Sequence, residues 1–299
     1  MATLSGDQQE NEFWHGAPSR HRPKARKTDA TAADPQTGAG RISRLTRTIE
    51  AEIIPRLLLA NSAAPRTCQT PFENSEILPV IIEELTSAVA HNDLGRAIEI
   101  VDMQRASGTN LPSIFLDLLA PTARHLGAAW DADTMNFAEV TVGLALLQQL
   151  LRELSPTFEA RHSALPQGRR ALLMTARGDQ HSFGLFMVEV FFRRAGWDVV
   201  SGASLPSNSF ANALRTEWVD VIAISKSCDD LLDELASDIT TFRRVSRNRN
   251  LTVMVGGPAF DGHPERVTLV GADTTAGDAQ QAVWQANKCV NAKRATEQV

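Results

Sequence analysis

The chain has 299 residues, 43% hydrophobic and 22% charged, an ordinary globular composition with length enough for two domains. A formal charge of −5 and a pI near 5.8 speak against a protein built to coat nucleic acid or an acidic membrane. No apolar run approaches the roughly 18 residues of a membrane span, and the N-terminus lacks the apolar core of a signal peptide, so the expectation is a cytoplasmic protein with no membrane partner.

Residues 1–40 mix Ser, Gly, Pro, Ala, Gln and Asp without apolar periodicity and are expected to form a disordered tail. Its basic cluster, Arg20, Arg22, Lys24, Arg26 and Lys27, is balanced by Asp7, Glu10, Glu12, Asp29 and Asp34, so the tail reads as solvated rather than as a DNA contact. Residues 41–74 hold a short helix, Ile42 to Leu59, with Leu45, Ile49, Ile53 and Leu57–Leu59 at helical spacing and Pro55 ending or kinking it; a loose segment, Asn61 to Asn74, follows. That apolar stripe has to be buried on the main body or on a partner.

Residues 75–157 read as a helical cap of four helices. Ile77 to Ala90 is apolar at helical spacing, and Asn92 or Asp93 caps a second helix carrying Leu94, Ile98 and Val101 before Gly108 stops it. Asn110 and Pro112 begin a third with Ile114, Phe115, Leu118 and Leu119. The fourth, Asn136 to Leu154, carries Val140, Leu144, Leu147, Leu151 and Leu154, and Ser155-Pro156 should end it. Short connections suggest a bundle.

Phe158 to Gly168 reads as a linker. In residues 169–299 the period changes: Ala171–Thr175, Asp198–Ser201, Val219–Ser225 and Leu251–Val255 are short branched runs separated by helix-length segments, with a weaker fifth run at Thr268–Ala272. Strands alternating with helices imply an α/β fold with a doubly wound parallel sheet, whose ligands lie beyond the carboxyl ends of the strands. Cys68, Cys228 and Cys289 are odd in number and without CxxC spacing, which argues against a disulfide framework and against a zinc site.

Three strand ends carry chemistry. The first runs into Gly178-Asp179-Gln180-His181-Ser182-Phe183-Gly184, an imidazole with a carboxylate two residues before it and a glycine three after. The third ends in Ser225-Lys226-Ser227, and the fourth in Gly256-Gly257, where missing side chains leave room for a ligand against bare backbone. Each has a simpler reading, since Gly-Gly is a common turn and the serines could cap a helix; the joint occurrence at strand ends is what points to a channel beside the sheet.

The segment from Arg169 to Val290, with its Asp-x-His-x-x-Gly, Ser-x-Ser and Gly-Gly motifs, resembles the cobalamin-binding domains. The resemblance implies that His181 is the lower axial ligand of cobalt, within a cofactor loop of Asp179, Gln180, Ser182, Phe183 and Gly184, with Asp179 as the partner of the imidazole. It implies that Ser225 and Ser227 contact the nucleotide tail and that Gly256 and Gly257 form its slot; Ser227 stands where a leucine is commoner. Independently, imidazole suits cobalt, and a hydrogen-bonded carboxylate makes it a stronger donor. Leu126 to Asp133 is similar to the cap over the corrin's upper face in methionine-synthase-like and light-sensing cobalamin proteins, which makes Trp130 a lid. Where the light sensors have a Glu-His pair this chain has Val140-Thr141, preceded by Glu139, and so lacks that upper histidine.

Thr48 to Asn61, followed by the cap and the cobalamin-like domain, resembles the antirepressors of photosynthetic bacteria, the AerR/PpaA type. What this implies is a light-responsive transcriptional regulator binding adenosyl- or hydroxocobalamin, with haem assigned to some relatives. The implied partner is a DNA-binding repressor with PAS and helix-turn-helix domains, DNA being contacted through that complex. Two alternatives are a corrinoid carrier subunit of a methyltransferase, which would need a separate substrate barrel, and a haem sensor with His181 as axial ligand, for which the Gly-Gly slot would have no use.

Overall fold

A computed structural model describes residues 77–160, 168–179, 181–202 and 209–297, which all fall within one compact unit. The tail, the helix expected at 42–59, the segment 61–74, Cys68, Gln180 and most of the linker lie outside the described residues.

The helical cap comprises α1 (Pro79–Ala90), α2 (Leu94–Ala106), α3 (Leu111–Ser113) running through a π-helical stretch (Ile114–Leu119) into α4 (Ala120–Asp131), and α5 (Phe137–Ala160). The side-chain oxygens of Asp93 and Asn110 accept from the N–H groups of Arg96 and Ser113, both at 2.9 Å, which fixes where α2 and α3 begin. The wide turn has a local cause. Pro121 cannot donate to Asp117 and its ring crowds that carbonyl, so the preceding turn opens to the register in which Ala120 N–H bonds Phe115 O. Leu85, Ile100, Phe115, Leu119, Leu126, Leu147 and Leu151 are fully buried between the helices.

α5 does not stop at Ser155-Pro156 as expected but continues to Ala160 with the proline inside it. Phe158, 1% exposed, packs tilted against Phe115 at 4.7 Å and against Phe191 of the α/β half at 4.9 Å. Burying that ring, about 1.5–3 kcal/mol, sustains the last turn.

The second half is a five-stranded, all-parallel sheet in the order β2-β1-β3-β4-β5. The elements are β1 (Arg170–Thr175), α6 (Phe183–Arg194), β2 (Asp198–Ser201), α7 (Ser209–Thr216), β3 (Val221–Ser225), α8 (Leu232–Val245), β4 (Thr252–Gly256), α9 (Pro264–Leu269), β5 (Thr274–Ala276) and α10 (Ala279–Glu297). Alternation divides the strands between two faces. Leu172, Met174, Ile222, Ile224, Val253 and Val255 pack under α7 and α8; Ala171, Leu173, Val221, Ala223 and Met254 pack under α6 and α10. This is the expected doubly wound fold.

The fifth strand is displaced from its expected place. Thr268 and Leu269 end α9, which Pro264 begins, and Gly271 at φ +75° turns the chain. Asp273 then accepts from Val253 N at 2.8 Å and sets Thr274–Ala276 beside Met254–Gly256. Three residues are too few for a period-2 signal.

Cap and sheet share apolar packing. Phe183, Met187, Val190 and Phe191 of α6 and Ala279 of α10 belong to the same buried cluster as the cap helices.

Candidate functional site

The turn after β1, closed by Asp179 N–H to Ala176 O at 3.0 Å, delivers Asp179 to the tip of β3. There Oδ2 accepts from the N–H of Ser227 at 2.6 Å and from its hydroxyl at 2.7 Å. Oδ1 accepts from the backbone N–H of His181 at 3.1 Å and faces its Nδ1. Burial works against the charge of Asp179, but bonds from His181 and Ser227 outweigh it and hold the carboxyl below its ordinary value. An imidazole that gives its Nδ1 proton to such a carboxylate keeps the lone pair on Nε2.

That Nε2 is the unfinished part of the structure. It is buried, the side chain being only 10% exposed, and has no hydrogen-bond partner. A buried polar atom left so costs about 1–3 kcal/mol, which a ligand on Nε2 would recover. One imidazole gives a metal one ligand, and a metal bound there must bring its remaining ligands, as one held in a macrocycle does. Among the described residues no group of three or more His, Cys, Asp or Glu could hold a metal ion by itself.

His181 opens onto a cleft of about 160 Å³ between the sheet and the helices α6 and α10. Small side chains, Gly184, Ala223, Ser225, Gly256, Ala279 and Ala282, line part of it, alongside larger ones such as Phe183, Met187 and Met254. A Cβ on Gly184 would meet nothing within 4 Å, and one on Gly256 only Ala276 O at 3.5 Å, so both border open space. Gly257 differs: its φ is +96°, and a Cβ there would run into the carbonyl oxygen of Lys226, so glycine is obligatory for the backbone itself. The free volume is below the roughly 300–1,000 Å³ of sites that engulf a drug-sized ligand. It fits a narrow appendage rather than a large ligand.

His181, Phe183, Gly184, Ser225, Gly256 and Gly257 therefore meet at one cleft, with Asp179 directly behind the imidazole. Ser227, expected on the nucleotide tail, donates to Asp179, and Ser182 accepts from Gln148 of α5 at 3.3 Å. Trp130, Glu139 and Val140 do not line the cleft. Trp130 packs on the cap core, Val140 is buried within it, and Glu139 forms a reciprocal capping box with Asn136 at the start of α5. The cap residues that face the cleft are Leu116, Ala120 and Arg124, one turn apart on the π-helical stretch and α4. Their i, i+4, i+8 spacing is visible in the sequence, but it is the spacing of any buried helix stripe.

Residues 169–285 match the B12-binding domain family. The chain is 27% identical over 179 residues to an uncharacterized 20.5 kDa protein of the bchF-crtJ intergenic region of Rhodobacter capsulatus, covering 60% of this chain and 93% of that one. It is 29% identical over 168 residues to the HTH-type transcriptional repressor CarA of Myxococcus xanthus, covering 56% of this chain and 54% of CarA, so the match spans about half of that relative. Among solved structures, the monomethylamine corrinoid protein of Methanosarcina barkeri superposes with a TM-score of 0.55 at 20% identity, over 69% of this chain and 97% of the other, and shares the fold. The family match supports cobalamin binding by the α/β half, and the donor set and slot described above fit it.

Proposed function

We propose that this chain is a cobalamin-binding transcriptional regulator of the antirepressor kind, with no catalytic role of its own. The observation that carries the reading is the buried, unpartnered Nε2 of His181 at the end of a braced Asp179–Ser227 relay, in a stretch matched by the B12-binding domain family. His181 would hold cobalt from below, the Gly184–Gly256 slot would take the nucleotide tail, and Leu116, Ala120 and Arg124 would face the corrin from the cap. When bound, cobalamin would supply a cobalt–ligand bond sensitive to light. The chain's part would be to convert a change in the state of the bound cofactor into a cap position, which requires different contacts in the two states. The readout would be a surface presented to a repressor with PAS and helix-turn-helix domains at photosynthesis genes. Relatives that include an HTH-type repressor and a protein from between bchF and crtJ support the regulatory half of this reading.

The decisive test is titration of the purified chain with adenosylcobalamin, hydroxocobalamin and haem, followed by ultraviolet-visible spectroscopy. Wild type should retain a cobalamin with its base displaced by histidine, and His181→Ala should lose that signature. A chain that takes up haem alone, or a spectrum indifferent to His181→Ala, would sink the assignment.

A second reading, a corrinoid carrier for a methyltransferase, is favoured by the fold shared with the monomethylamine corrinoid protein. Methyl transfer from the methylcobalamin-loaded chain to a thiol, in the presence of a partner barrel protein, would establish it; an inert methyl group favours the regulator.

A further inference from the structure

We infer that the amino-terminal edge of the sheet, opposite the cofactor cleft, is a docking face for the phosphate backbone of duplex DNA, held by Arg215, Arg244, Arg247 and Arg249. All four side chains are exposed to solvent at least in part, and structural contacts gather them. Arg247 N–H bonds Leu214 O at 2.8 Å, which sets the loop after α8 against the last turn of α7, where Arg215 lies. The loop is rigid by construction. Asn248, 4% exposed, donates to Val219 O at 2.9 Å, and its own side-chain oxygen accepts from Asn250 N at 2.9 Å.

The carboxylates of this edge are already taken. Asp198 and Glu217 pair with Arg170, Asp220 with Arg294, and Asp273 with Arg243 and Lys293. Among the described residues none of the four arginines makes an ion pair; Arg247 and Arg249 donate only to the carbonyls of Thr216 and Arg244. In a chain of net charge −5, four guanidinium groups with no carboxylate partner among the described residues form a local exception. A second cleft, of about 220 Å³, lies next to this loop and is lined by Trp218, Asp220, Asn248, Asn250, Lys293 and Arg294, the two cations there being paired with Asp273 and Asp220.

Guanidinium forks match phosphate oxygens in pairs. A protein partner would call for an apolar centre ringed by charge, and a single strand for several aromatic platforms; exposed alongside these arginines is one indole, Trp218. Duplex phosphate suits what is there.

The test uses the full chain carrying Arg20, Arg22, Lys24, Arg26 and Lys27 all as alanine, so that the tail cluster does not contribute. Binding of a mixed-sequence duplex of about 20 base pairs is followed by fluorescence anisotropy across salt concentrations and compared with R215A/R244A/R247A/R249A in the same background. The arginine variant should bind at least tenfold more weakly at about 50 mM salt, and its slope of log affinity against log salt should shrink by about 0.9 for each phosphate no longer neutralised. Circular dichroism and the cobalamin spectrum should not change, since the substitutions are far from His181. Unchanged affinity and slope, or absence of duplex binding by the unsubstituted edge, overturns the inference. Binding to polyglutamate but not to duplex also overturns it and assigns the edge to an acidic protein.

Discussion

Gly184 and Gly257 look alike in the sequence and do different things. Gly184 sits in the first turn of α6 with open space where a side chain would go, whereas Gly257 has a left-handed backbone pressed on Lys226 O. Gly184→Leu should therefore leave the melting temperature within about 2 °C of wild type, as surface changes do, while abolishing retention of cobalamin on gel filtration. Gly257→Ala should cost about 1–3 kcal/mol in a urea titration, cofactor or not. If Gly184→Leu still retains cobalamin, the slot is not where the tail lies. Asp179 and Ser227 make a second contrast. Asp179→Ala removes the acceptor for both His181 and Ser227, and hydroxocobalamin affinity in equilibrium dialysis should fall about 10–100-fold. Ser227→Ala leaves the backbone N–H donor to Asp179 in place and should cost less.

At the scale of elements, α5 shows why a proline rule fails when burial opposes it. The ring of Phe158 is clamped between Phe115 and Phe191, with the guanidinium of Arg194 over it at 4.1 Å, and this holds a turn that Pro156 would otherwise end. Phe158→Ala should cost about 3–5 kcal/mol in denaturant unfolding, and a loss below 1 kcal/mol would show that the turn stands without it. β5 depends on one carboxylate instead. Burial opposes the charge of Asp273, but Val253 N–H, Lys293 and Arg243 outweigh it and depress its pKa. Because the folded value lies below the unfolded one, the stabilisation is complete above about pH 4 and is lost as pH falls through the depressed folded value. Acid unfolding of Asp273→Asn should accordingly begin from a less stable protein at neutral pH and show a shallower decline below about pH 4.

For the whole molecule, the shared cluster of Phe115, Phe158 and Phe191 constrains any switch. The cap packs on α6, the helix whose first turn carries the cofactor loop, so displacing the cap from His181 must either strain that cluster or move α6 with it. The proposed regulator predicts that adenosylcobalamin-loaded chain kept dark and the same sample after illumination will differ in amide hydrogen exchange in α4, α5 and α6, and in affinity for the repressor. Identical exchange and identical affinity would remove the switch and leave cobalamin storage or carriage.

Much of this was legible in residue order because its physics is local. Helix caps at Asp93 and Asn110, the change of period from the cap to the α/β half, and a histidine with its carboxylate after the first strand all depend on neighbours within a few residues. The sequence also placed His181, Gly184, Ser225 and Gly256 at strand ends, and parallel topology brings strand ends together. What needed tertiary structure were the pairings between distant segments. The bond of Ser227 to Asp179 could be known only with β1 and β3 side by side, and the lining of the cleft by Leu116, Ala120 and Arg124 only once the facing side of α4 was known. Net charge hid the arginine edge for the same reason: a sum over the chain carries no positions, whereas folding puts Arg215 beside Arg247 and pairs the nearby acids elsewhere.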